Sequence, residues 1–360
     1  MTAAPGPEDE DPASLIAALL ASRYGLAPSE VSQVPVGQGT VNYRAACQDR
    51  DVFVKSYPPG TDLAAEREAI ALTALAGRAG VPVAPLIPAR DGQPITRNAG
   101  AAVSVWQWMP GAIITARPGT RQLEQAGAAL GRIHAAFAPL PASSAPAPQV
   151  TAWRSPDIAA LNTTIGTLLA AVTDRAAAGQ VSSFDRQARS TLTERQDMLT
   201  AVPGLLAALP ELTAQVLHGD YSPVNLLWDD GTLTAVLDFR PPDPFLTAYD
   251  LGRIAFYPNT VTSDPGWLRS AQTLAAAYID ANPAARPDDI RWCARVALLQ
   301  LVTSLYGVKQ HYLKPGLFQD DLDQFWLLRH QAAGILLAGL ADAEAMLAAL
   351  ADRLPSGKER

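Results

Sequence analysis

Hydrophobic and polar positions alternate differently in the two halves of this chain. After a short amphipathic stretch near Ser14 to Tyr24, strand-type residues dominate three brief segments, Val31 to Val36, Asn42 to Cys47 and Asp51 to Ser56. They are separated by Gly37-Gln38-Gly39 and by Gln48-Asp49-Arg50, so the spacing predicts a β-meander. A helix is expected from Asp62 to Arg78, with Ile70, Leu72, Leu75 and Ala76 apolar. Further strands are expected over Val83 to Pro88, Gln93 to Arg97 and Ala102 to Trp108, the last closed by Pro110-Gly111. From Arg121 onward the period changes to that of helices: Gln122 to Phe137, Pro156 to Ala178, Asp185 to Leu209, Trp267 to Ala281, Asp288 to Tyr312 and Leu322 to Leu350. A β-rich interlude at Gln215 to Asp238 interrupts them.

This pattern divides the chain into an acidic, Pro-rich tail at 1–12, a small α/β lobe at 13–110, a helical lobe at 111–353 and a frayed tail at 354–360. A length of 360 residues exceeds the usual size of one hydrophobic core, which also favours two lobes. The expected class is therefore α+β. The net charge of −7 argues against a general nucleic-acid partner, which wants a basic face. No apolar run is long enough to suggest a bilayer span, and the N-terminal tail lacks the pattern of a signal peptide, so a cytoplasmic protein without a membrane partner is expected. Cys47 and Cys293 stand apart with no metal-binding spacing and read as reduced thiols. Composition does not choose between a monomer and a homodimer.

The candidate chemistry is concentrated in one run, HGDYSPVNLLWDDGTLTAVLDF, which begins at His218. Asp220 and Asn225 form Asp-x-x-x-x-Asn, in which the Asp can accept a hydroxyl proton and the Asn oxygen can coordinate Mg2+. Leu226 to Trp228 and Thr234 to Leu237 read as strands around Asp229-Asp230-Gly231, and Asp-Gly is a strong hairpin signal. Asp229 and Asp230 are then turn residues, and Asp238 follows the hairpin as a second Mg2+ ligand. One Asn and one Asp suffice, because Mg2+ keeps waters and takes phosphate oxygens. In the first lobe, the turn Gly37, Gln38, Gly39 and Thr40 can bring backbone N–H groups to phosphates. Lys55 ends the strand Val52-Phe53-Val54-Lys55 and can hold the α- and β-phosphates, with Glu66 and Glu68 on the next helix as carboxylates that could pair with it. Each signal is weak alone; their order is not.

Taken together these segments resemble the aminoglycoside phosphotransferase and choline kinase group, from about Val31 to Tyr257. AEREAIALTALAGRAGVPVAPLI resembles that group's lysine-pairing helix and the strand after it, VSVWQWMPG its linker strand, and ALGRIHAAF the helix beyond. The resemblance implies a two-lobed, protein-kinase-like fold with a small β-rich nucleotide lobe and a helical acceptor lobe. By register it gives the pairing role to Glu68 over Glu66, and adenine binding to the backbone of Gln107, Trp108 and Met109. It makes His134 a packing residue and Asp250 a support for the catalytic loop. It also implies ATP and Mg2+ as cofactors and a hydroxyl of an amino sugar, amino alcohol or antibiotic-like small molecule as acceptor. Gly219 stands where protein kinases carry Arg. Arg240-Pro241-Pro242-Asp243-Pro244 departs from the group's pattern and leaves the acceptor open: carboxylates such as Asp243, Asp320, Asp321 and Asp323 would suit a cationic one. A nucleotide-binding pseudokinase acting through partner contacts is the alternative, and it predicts loss of Lys55, Asp220, Asn225 or Asp238, all of which are present.

Overall fold

The computed structural model describes residues 11–35, 40–98, 101–141, 147–315 and 319–354. The chain forms two compact units, 1–112 with 226–242, and 113–225 with 243–360. The expected boundary at residue 110 is thus shifted by two residues. More importantly, the hairpin expected in the helical lobe belongs with the first unit.

The first unit is built on an antiparallel sheet of order β1-β2-β3-β6-β4, with β5 also pairing β6. Its strands are β1 (Pro28–Val34), β2 (Val41–Cys47), β3 (Asp51–Tyr57), β4 (Leu86–Ile87), β5 (Thr96–Asn98) and β6 (Ala101–Gln107). Alternation along β3 divides its side chains between two cores. Val52 and Val54 join Tyr43, Val103 and Val105 under α1 (Pro12–Leu19), which contributes Ile16 and Leu19. Tyr57, one period from Lys55, packs on the opposite face with Leu63 and Ile70 of α2 (Leu63–Arg78). Asp62 caps α2, its carboxylate accepting the N–H groups of Ala64 at 3.0 Å and Ala65 at 3.2 Å. β4 is shorter than the predicted Val83 to Pro88 because Pro82, Pro85 and Pro88 remove ladder donors around it.

The hairpin pairs Leu226–Asp229 with Thr232–Val236. Asp230 and Gly231 both take positive φ, 45° and 70°, as a two-residue hairpin turn of the right twist requires. Val236 N–H donates to Pro82 O at 2.8 Å and Thr234 Oγ1 to Pro110 O at 2.7 Å. These bonds tie the hairpin to the loop after α2 and to the end of the β6 segment, which is why it travels with the first unit.

In the second unit α3 (Thr120–Phe137) packs on the helix Trp267–Ala281. The approach is close enough that a Cβ built on Gly127 would lie 2.1 Å from Leu274 O. Three long predicted helices are broken. Pro203 starts a separate helix at Val202–Ala207, and Gly307 at φ 96° separates Cys293–Thr303 from Val308–Leu313. At Gly339 the chain bends by 71° between Gln319–Ala338 and Leu340–Ala351. Alanine content carries the helix signal through these points, while Pro and Gly end the backbone ladder. Among the described residues no single helix is long and apolar enough to cross a membrane.

Candidate active site

In the first unit the chemistry gathers around Lys55. β2–β3–β6 register places it opposite Asn42 and Ser104. Its Nζ donates to Asp238 Oδ1 at 3.1 Å and lies 3.7 Å from Glu66 Oε2. Burial works against the Lys55 charge, but Asp238, Tyr57 and Glu66 outweigh it and hold its pKa above the usual lysine value. The carboxylate beside Lys55 is therefore Glu66, which corrects the expected pairing with Glu68. Helical periodicity explains the difference: Glu66 stands three residues after buried Leu63 and four before buried Ile70, whereas Glu68 is exposed. Behind Lys55, Tyr57 Oη and Ser104 Oγ lie 2.9 Å apart, and Trp106 Nε1 donates to the same Ser104 oxygen at 2.9 Å.

Asp238 has φ 60°, a left-handed backbone uncommon for Asp, and its side chain is 54 % exposed. The hairpin thus ends in a strained residue whose carboxylate is presented outward, with one oxygen on Lys55. In the linker strand, Gln107 N–H donates to Pro85 O at 2.9 Å and Trp108 N–H to Asp51 O at 3.2 Å. Those two amides are therefore engaged inside the unit. Trp108 is held by Arg44, whose guanidinium carbon is 4.7 Å from the ring centroid. Thr40 Oγ1 donates to Asn42 Oδ1 at 3.2 Å. Gly37, Gln38 and Gly39 lie outside the described residues.

In the second unit the loop His218 to Asn225 is fixed from several sides. Gly219 takes φ 83°, a conformation that suits glycine and would strain the Arg that protein kinases carry there. Its N–H donates to Asp250 Oδ2 at 3.2 Å, and Asp220 N–H donates to His218 Nδ1 at 3.2 Å. Asn225 Nδ2 donates to Asp220 O at 2.9 Å, which orients the side-chain amide and leaves Oδ1 as its acceptor atom. Tyr221, fully buried, anchors the loop through its hydroxyl to Ala126 O at 2.8 Å.

Asp250 is fully buried at the base of this loop. Asn282 Nδ2 donates to Tyr278 Oη at 2.9 Å, so the tyrosine proton points to His134 Nδ1, also 2.9 Å away. That arrangement puts the His134 proton on Nε2, which faces Asp250 Oδ2 at 3.6 Å. Burial raises the Asp250 pKa, but His134, the charge of His218 and the Gly219 N–H together bring it below the usual carboxylate value. His134 and Asp250 thus belong to one buried chain of polar groups that ends on the loop carrying Asp220. Sequence reasoning missed Tyr278 and Asn282, which stand nearly 150 residues after His134, and it missed Arg253. Arg253 donates to Asp220 Oδ1 and, at 3.5 Å, to Tyr249 Oη. Its signal was its place three residues after Asp250 on the helix Thr247–Ala255, on the same side as the supporting aspartate.

Among the described residues no group of three or more His, Cys, Asp and Glu side chains could hold a metal by itself. Asn225 Oδ1 in the second unit and the outward Asp238 carboxylate in the first are each a hard oxygen donor of the kind Mg2+ takes.

Comparison with known proteins gives the family and the fold. A family model described as the phosphotransferase enzyme family matches residues 30–287. None of the curated proteins matches the chain significantly in sequence. Among solved structures, a spectinomycin phosphotransferase in complex with ADP and spectinomycin superposes with a TM-score of 0.59 at 14 % identity, covering 92 % of this chain and 99 % of that one. An aminoglycoside phosphotransferase from Alicyclobacillus acidocaldarius gives 0.59 at 15 % identity, covering 94 % and 99 %. A microcompartment-associated aminopropanol kinase gives 0.55 at 15 % identity, covering 92 % and 98 %. At such identities these likenesses establish the fold.

Proposed function

The chain belongs to the phosphotransferase enzyme family, and we propose that it transfers the γ-phosphate of ATP to a hydroxyl of a small amino sugar, amino alcohol or antibiotic-like molecule. The observation that carries this reading is the fixed loop in which Asp250 holds the Gly219 N–H, His218 holds the Asp220 N–H, and the Asp220 carbonyl holds the Asn225 amide. Such rigidity suits phosphoryl transfer, where the protein contributes mainly position and charge.

In this account Lys55 binds the nucleotide's α- and β-phosphates, and Glu66 keeps its ammonium in place. The linker around Met109 takes the adenine. Asn225 and Asp238 are the residues that would hold Mg2+, which would supply charge neutralisation to the transferring phosphate. Asp220 accepts a hydrogen bond from the acceptor hydroxyl, orients its oxygen toward the γ-phosphorus, and takes its proton as the new P–O bond forms. The neighbours crystallised with nucleotide support the choice of cofactor. A coupled assay of ADP formation, run across amino sugars, amino alcohols and antibiotics with phosphorus NMR of each product, tests the reading. Phosphorylated product from one or more acceptors is expected, and ATP binding with no transfer to any of them would favour a pseudokinase.

A further inference from the structure

Beside Asp220 the second unit holds two arginines; Asp220 and Asp250 both act on Arg253, and among the described residues no carboxylate acts on Arg329. Arg253 is hydrogen-bonded to Asp220. Arg329, on the helix Gln319–Ala338, is only 9 % exposed, yet it forms no hydrogen bond or ion pair with any described residue. Its guanidinium carbon lies 5.6 Å from the centroid of the Phe325 ring, which faces Tyr257 at 6.3 Å. The buried Tyr257 hydroxyl is within electrostatic reach of Arg253, Asp220 and Arg329 together. Arg329 in turn is reached by Arg253, Tyr249, Tyr257 and Tyr306, and burial followed by Arg253 pulls its pKa down to about 10.

A buried arginine elsewhere in the same unit shows what a structural one looks like. Arg195 donates to Leu301 O, to Val302 O at 3.2 Å and to His330 Nδ1 at 3.3 Å. It satisfies the last carbonyls of the helix Cys293–Thr303 and stacks on Trp326. Arg329 has the ring and none of the acceptors. A buried cation left in that state is costly, and the cost falls when a ligand brings the missing anion. The residues that could favour a cationic acceptor are otherwise placed. Asp243, Asp320 and Asp321 are exposed, and Asp323 is bound to His311 at 2.7 Å and Gln319 at 2.6 Å.

We propose that Arg329, with the Tyr257 hydroxyl, forms an anion subsite near Asp220, and that the acceptor carries a carboxylate as well as the hydroxyl that is phosphorylated. The planar guanidinium matches a carboxylate through paired N–H donors. The subsite rests on the phosphotransfer reading and selects among its acceptors.

The test compares matched pairs that differ only in the carboxylate, serine with ethanolamine and homoserine with aminopropanol, by ADP release and product analysis. Wild-type kcat/KM should favour the acid of a pair. In Arg329→Met, which keeps the apolar stem against Phe325, that preference should fall by about tenfold or more, as the loss of a charge-assisted contact implies. The change should lie in the KM of the acid, and Arg329→Lys should recover part of it. Equal or better use of the alcohols by the wild type, or an unchanged preference in a folded Arg329→Met, would overturn the subsite. Should that variant not fold, the wild-type pairs and Arg329→Lys decide. Should no acceptor turn over, calorimetric binding of the same pairs to the ATP-bound protein replaces kinetics, and acids binding no better than alcohols overturn the proposal. A protein that binds no ATP at all contradicts the kinase reading instead.

Discussion

Asp250 offers the sharpest test of how the second unit holds its loop. It is fully buried, accepts the Gly219 N–H at 3.2 Å and faces His134 Nε2 at 3.6 Å. Asp250→Asn preserves the shape and one acceptor oxygen but removes the charge. A hydrogen bond to a charged group contributes about 1.5–3 kcal/mol and a neutral one about 0.5–1.5 kcal/mol, so a loss of roughly 1–2 kcal/mol is expected. Asp250→Ala also leaves the Gly219 N–H without its acceptor, and an unsatisfied buried donor of this kind costs about 1–3 kcal/mol. Both changes loosen the loop that positions Asp220. Displacement of a reacting group by a fraction of its van der Waals radius suffices for a loss of about 10- to 100-fold in kcat. Urea denaturation followed by far-UV circular dichroism measures the first effect, and steady-state ADP release measures the second. The pH dependence has a definite sign. Because the folded pKa lies below the usual carboxylate value of 3.8, the stability that the Asp250 charge contributes is fully present above that value. It is lost as pH falls through the lower folded value. The gap between wild type and Asp250→Asn should therefore be flat from about pH 5 to 8 and close below about pH 4. Equal denaturation midpoints at neutral pH, or an Asp250→Ala enzyme with wild-type kcat, would refute this account of the loop.

Other expectations follow from the same contacts. Lys55→Met removes the ammonium that meets Asp238 at 3.1 Å, and the KM for ATP should rise by about 10- to 100-fold, the worth of a charged phosphate contact. Glu66→Gln should raise that KM several-fold while Glu68→Gln leaves it unchanged, since only Glu66 lies beside Lys55; the reverse order in a nucleotide titration would restore Glu68 to the pairing role. Gly127→Ala would drive a methyl to 2.1 Å from Leu274 O, and overpacking of this kind costs about 1–3 kcal/mol in denaturant titration. Arg195→Met strips the carbonyls of Leu301 and Val302 of their buried donor and should destabilise the second unit by about 1–3 kcal/mol.

Local signals were legible in the sequence and long-range ones were not. Asp230-Gly231 announced its own hairpin because the turn's backbone angles depend on those two residues alone. The positions of Lys55 on β3 and of Asp220 and Asn225 on one loop were likewise readable from short spacings. The side of α2 that faces Lys55 was misjudged, because Glu66 and Glu68 differ only in which helical stripe is buried, and burial is a tertiary property. The hairpin's allegiance to the first unit depends on Pro82 and Pro110, more than a hundred residues earlier. The chain from Asn282 through Tyr278 and His134 to Asp250 was invisible for the same reason. Helix ends were lost where alanine runs masked Pro203, Gly307 and Gly339, residues whose effect is on the backbone and not on hydropathy.

The account stands or falls most directly on Asp238. Its carboxylate is outward-facing, so Asp238→Ala, which loses the Lys55 contact and puts Ala at φ 60°, should cost no more than about 1–2 kcal/mol and leave the protein folded. Phosphorus NMR of that folded variant, incubated with ATP, Mg2+ and an acceptor that the wild type uses, should then show no phosphorylated product. Continued product formation at a rate near that of the wild type would contradict the assignment of Asp238 to the metal, and with it the proposed mechanism.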